Sequence, residues 1–106
     1  MKGPIYISGP MTGYDNSNFE SFIRAAKALR GMGFTVLSPH EAKVEAPSHE
    51  EYMRADIAML LQCNSVVTLP NWFCSKGARL EVEIAHMLGM TVLPVEKVLR
   101  GDNKWA

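Results

Sequence analysis

The chain has 106 residues, 47% of them apolar, with 11 basic and 11 acidic side chains and a formal net charge of zero. This is the size of one common domain, 1–106, with enough apolar material to fold without disulfides or metal, which argues against disorder. Zero net charge argues against a broad electrostatic footprint for a nucleic-acid polymer, while small anionic ligands need only a local cluster of donors.

The two cysteines, Cys63 and Cys74, form neither a C-x-x-C pair nor part of a Cys/His ligand pattern, so reduced cytosolic thiols are expected. Met1-Lys2-Gly3-Pro4 lacks the apolar segment of a signal peptide. No apolar run approaches the ~20 residues that span a bilayer. The expectation is a soluble cytoplasmic domain with no membrane partner.

In chain order, Pro4–Ser8 is β-rich and runs into Gly9-Pro10, so it reads as a strand feeding a loop. That loop, Gly9 to Asn16, has neither G-x-G-x-x-G nor a Walker lysine. Ser17-Asn18-Phe19-Glu20 has the form of a capping box, followed by helical spacing from Phe19 to Met32 and a stop at Gly33. Phe34–Ser38 is the second predicted strand, and Glu41–Pro47 a loop. Ser48-His49-Glu50-Glu51 repeats the capping-box form and opens a helix to about Cys63. Ser65–Leu69 and Thr91–Val95 are the third and fourth strands, separated by a helix from about Ser75 to Leu88. The tail from Glu96 is weakly patterned, with Val98, Leu99 and Trp105 as docking points.

Strands alternating with helices over short connections predict parallel pairing and right-handed crossovers. The expected architecture is α/β: a three-layer Rossmann- or flavodoxin-like sheet of four to five strands, order 2-1-3-4. Ligands of such sheets bind outside the carboxyl ends of the strands at the switch point, here between the first and third strands.

The helix after Ser75 carries Glu81 on one face with Ile84, Ala85 and Leu88. A carboxylate on the face that meets the sheet costs several kcal/mol unless it is paired or used. Glu83 falls on another face and reads as a surface group. Asp56 lies within the apolar stripe of Tyr52, Met53, Ile57, Leu60 and Cys63, where a core residue is expected. It is either a helix-edge aspartate paired with Arg54 or solvated, or a second carboxylate in a partly apolar cleft with a raised pKa. Two carboxyls of different environment suit glycosidic chemistry. Tyr6 either fills the core or orients a carboxylate. The Gly9–Gly13 loop and the Ser75-Lys76-Gly77 turn can each offer N–H groups to a phosphate, or be plain turns. His40, His49 and His86 have no metal spacing, so neither metal nor cofactor is expected; His40 either lines the cleft or is a plain loop residue. Trp72 and Phe73 either stack a base or pack against a neighbouring subunit.

Three segments, Ile5-Tyr6-Ile7-Ser8-Gly9-Pro10-Met11-Thr12-Gly13, Tyr52-Met53-Arg54-Ala55-Asp56 and Gly77-Ala78-Arg79-Leu80-Glu81, occur in this order. With them the chain resembles the nucleoside 2-deoxyribosyltransferase-like family over about residues 4–95, in particular a small branch common in phages and bacteria. The resemblance implies Glu81 as the nucleophile at C1′ of a deoxyribose, Asp56 as the acid-base partner at the base, and Tyr6 as the group positioning the nucleophile. It also implies a substrate cradle from Ser8, Gly9, Pro10, Met11 and Thr12 with Ser75, Gly77 and Arg79.

The departures are Ser75, where the transferases carry an aspartate, and Asn64, where an aspartate is usual before the third strand. A serine at the first position matches the related deoxynucleoside 5′-monophosphate N-glycosidases and favours a nucleotide. Asn64 is expected to weaken base handling. The chain is also shorter than those enzymes. The implied function is cleavage or transfer at the N-glycosidic bond of a deoxynucleoside or its 5′-monophosphate through a covalent glutamyl intermediate. The alternative is a non-catalytic nucleotide-binding or sensing module using the same cleft. The expected partners are a small nucleoside or nucleotide and a second copy of the chain, in a homodimer or larger homo-oligomer with Met87, Met90, Trp72 and Phe73 at its surface.

Overall fold

A computed structural model describes residues 3–44 and 48–101. Its strands are β1 (Ile5–Ser8), β2 (Val36–Leu37), β3 (Ser65–Thr68) and β4 (Thr91–Pro94), and its helices α1 (Phe19–Gly31), α2 (His49–Leu60), α3 (Lys76–Met87) and α4 (Val95–Leu99). All pairings are parallel and the order is β2-β1-β3-β4, as expected. Every residue of β1 and β3 is buried, which suits central strands covered on both faces.

The pleat divides the core. Ile5, Ile7 and Val67 pack against Phe22, Ala26 and Leu29 of α1 and Val95 and Val98 of α4. Tyr6 and Val66 point to the other face, where Leu60 of α2, Cys63 just beyond it and Ala85 of α3 meet them. This is the alternation that a period of two imposes on a strand buried on both sides.

Local signals held unevenly. Ser48 caps α2, its Oγ accepting the Glu51 N–H at 3.1 Å. The matching signal at Ser17 fails: Asn16, Ser17 and Asn18 are left-handed (φ 49°, 54° and 61°), and Asn18 precedes α1 without a side-chain cap. A clamp within the preceding loop wins there. Phe34 and Ser38 lie outside β2, because the Phe34 N–H turns back to Leu29 O at 3.1 Å and closes the end of α1. The weakly patterned tail holds a helical turn, α4, whose Val98 is fully buried; Trp105 lies outside the described residues. Among the described residues no helix is long and apolar enough to cross a membrane.

Candidate active site

Tyr6 and Ser8 are two apart on β1, so both face the α2/α3 layer at the carboxyl end of the sheet. Each donates to Glu81 of α3: Tyr6 OH to Oε2 at 3.0 Å and Ser8 Oγ to Oε1 at 2.7 Å. Glu81 is 4% exposed. Burial disfavours its charged form and Asp56 adds repulsion, while the two hydroxyl bonds favour charge. Burial wins, and the carboxyl is pushed up to about 7. Tyr6 is held well above its ordinary value by burial and then by the charge of Glu81 and Asp56, so it remains a phenol and a donor.

Asp56 of α2 is 7% exposed, and its Oδ1 has no hydrogen-bond partner among the described residues. Burial alone raises its carboxyl to about 7. The pairing with Arg54 is not formed. An orphaned buried acceptor costs about 1–3 kcal/mol, which a neutral carboxyl or an incoming donor relieves.

Both carboxyls line one cleft of about 710 Å³. Of the anticipated cradle, Gly9, Pro10, Met11, Thr12, Ser75 and Gly77 line it. Tyr6 and Ser8 stand behind Glu81 rather than in the wall. Arg79 is exposed and outside the lining. Two residues before Glu81, it is rotated about 200° around the helix and faces the opposite way. Lys76 is the cation that lines the cleft. Sequence reasoning also passed over Tyr14, Phe19, His49 and Cys74 as lining residues, and gave Tyr52 and Met53 as core stripe and as part of the segment that ends at Asp56, without placing them in the cleft wall. The last two precede Asp56 by four and three positions, so helical spacing already placed them beside it.

Two glycines set the walls. A Cβ on Gly9 would stand 2.8 Å from Leu69 Cβ, where the Leu69 N–H bonds Ser8 O at 2.9 Å. A Cβ on Gly77 would stand 3.2 Å from Met53 Sδ, so glycine lets α2 and the first turn of α3 close together. Ser75 caps that turn, its Oγ accepting the Ala78 N–H at 3.2 Å, which leaves its hydroxyl proton free to donate.

Asn64, His40, Trp72 and Phe73 lie outside the cleft lining. Asn64 lies at the amino end of β3, its N–H bonded to Pro4 O at 3.0 Å, at the opposite end of the sheet from the cleft. His40 meets Ser38 Oγ at 2.5 Å through Nδ1 and stands edge-on to Phe19, outside the lining. Trp72 and Phe73 pack edge-to-face at 6.0 Å, also outside it. Among the described residues no three His, Cys, Asp or Glu side chains are grouped to hold a metal ion.

The four-stranded parallel sheet in this order shares its fold with solved 2-deoxyribosyltransferases. The structure is similar to the 2-deoxyribosyltransferase of Bacillus psychrosaccharolyticus (TM-score 0.66, 24% identity, 85% of this chain and 70% of that one). It is similar to the 2-deoxyribosyltransferase of Leishmania mexicana (TM-score 0.66, 22% identity, 88% and 63%). It is also similar to a conserved protein of Enterococcus faecalis V583 (TM-score 0.59, 18% identity, 87% and 62%). The chain thus spans between 62% and 70% of the length of these structures. No curated protein matches it. Residues 3–94 match the family described as Domain of unknown function (DUF4406), and the chain belongs to that family.

Proposed function

We propose that this protein cleaves or transfers at the N-glycosidic bond of a deoxynucleoside 5′-monophosphate. The observation that carries the reading is a buried carboxyl, Glu81, gripped by two hydroxyl donors in the same cleft as a second buried carboxyl with an unpartnered oxygen. Ionised Glu81 attacks C1′ and forms a C1′–O bond as the C1′–N bond breaks. The bonding pair leaves with the base, which takes the proton of neutral Asp56. Water or an acceptor base then attacks C1′, Asp56 removes its proton, and Glu81 departs as a carboxylate. Such covalent catalysis divides one hard displacement into two easier ones.

Phosphate is held by the start of α3, where Ser75, Lys76 and Gly77 line the cleft with the Gly9–Thr12 segment. Self-association through exposed Phe73, Met87 and Leu88 belongs to the same proposal.

The test is free base released from each of the four deoxynucleoside 5′-monophosphates, with and without Glu81→Gln. Release by the wild type and none by the variant supports the reading. Binding without release or exchange by folded wild-type protein overturns it in favour of a sensing module.

A further inference from the structure

The geometry points to Asn18 as a positioning residue that fixes one wall of the cleft through the Pro10 carbonyl. Asn18 Nδ2 donates to Pro10 O at 2.9 Å, across a sequence separation of eight residues. That bond ties together the two ends of a loop whose interior is closed by two further bonds. The Tyr14 N–H donates to Met11 O at 3.1 Å, and the Ser17 N–H to Tyr14 O at 3.1 Å. Met11, Thr12, Tyr14 and Ser17 all line the cleft, so the loop is a self-closed wall facing α2 and α3.

The backbone shows what this closure demands. Asn16, Ser17 and Asn18 are consecutive left-handed residues, none of them glycine. Asparagine tolerates that region better than most residues, but serine does not, and such a run persists only where surrounding bonds hold it. The failed capping box has the same cause. A serine held left-handed at 17 cannot cap α1 from the extended conformation a cap needs. Pro10 follows Gly9, which is wedged against Leu69, and Ser8, which bonds Glu81. The Asn18 bond therefore fixes the loop wall relative to the carboxyl it faces, without touching that carboxyl.

The kinetic consequence rests on the proposed reaction; the structural one does not. Asn18→Asp keeps the size and the tolerance for a left-handed backbone but lacks the donor. Asn18→Gly relaxes the backbone and also lacks the donor. In both, the Tyr14 and Ser17 amides should exchange with solvent faster, by about three- to tenfold, the worth of one neutral hydrogen bond. KM for the nucleotide should rise by a similar factor with kcat within about a factor of two, because Glu81, Tyr6 and Ser8 keep their contacts. Exchange unchanged in both variants overturns the inference, as does a fall in kcat at constant KM. An Asn18→Gly variant matching the wild type while Asn18→Asp is impaired also overturns it, assigning the effect to charge. If the wild type releases no base, the proposed reaction fails, and amide exchange alone decides the role of Asn18.

Discussion

Glu81 is a carboxyl on which opposing effects nearly balance. Two hydroxyl donors hold its charged form, and burial with a neighbouring acid pushes against it until the group titrates at about 7, where Asp56 also titrates. The proposed chemistry needs Glu81 ionised and Asp56 neutral, a pair sharing one proton. The dependence of kcat/KM on pH should therefore be a bell with its maximum near 7, falling toward pH 5 as Glu81 is protonated and toward pH 9 as Asp56 ionises. A flat profile between pH 5 and 9 contradicts that assignment.

Tyr6→Phe removes one bond that favours the charged carboxylate, so Glu81 should titrate higher. The acid limb of the bell should move to higher pH, and kcat near pH 7 should fall by about tenfold or more, the usual worth of a bond to a charged group. Asp56 shows what the chain alone conveyed. Its place in an apolar stripe was readable from spacing, but its unpartnered oxygen depends on which elements surround it and was not.

At the scale of elements, the start of α3 does two jobs with residues two positions apart. Ser75 ends the loop as an N-cap and Gly77 leaves room for Met53. Ser75→Ala should destabilise the protein by about 1 kcal/mol, read by urea unfolding, and weaken nucleotide binding while Ser75→Thr preserves the cap. Equal stability of Ser75→Ala and wild type would show that the cap bond contributes nothing. The capping signals at 17 and 48 had the same sequence form and different outcomes. Ser48 obeys its local rule, whereas Ser17 is overruled by a clamp between residues eight apart that no local pattern reports. Arg79, which the resemblance placed in the cradle, lies outside the cleft lining because two positions before Glu81 is about 200° away around the helix.

For the molecule as a whole, strand order and layers followed from alternation and handed crossovers, which act at every strand and so leave a redundant signal. The helical turn α4 was not legible because five residues carry too little period to read. The two buried carboxyls also set how stability should vary with pH. Both bind protons more tightly folded than unfolded, so between about pH 4 and 7 the unfolded chain releases protons that the fold retains. Stability therefore falls as pH rises through that window, by up to about 3–4 kcal/mol per group, and levels off above it. Glu41 shifts the other way through Arg30, and its contribution is lost only in acid, below that window. Urea unfolding at pH 5 and 8 should show the fall in the wild type and a smaller one in Asp56→Asn; an equal fall in both contradicts the burial account. Self-association is checked by light scattering, with Met87→Glu expected to lower the mass if the exposed α3 face mediates it.

The central claim is that Glu81 forms a bond to C1′, and the most direct measurement is the mass of the peptide bearing it after acid quench during turnover of a deoxynucleoside 5′-monophosphate. The account predicts that peptide heavier by one deoxyribosyl phosphate unit, with the addition on Glu81 and none in Glu81→Gln. Base release with no adduct on any carboxyl, or an adduct on Asp56 instead, would contradict it.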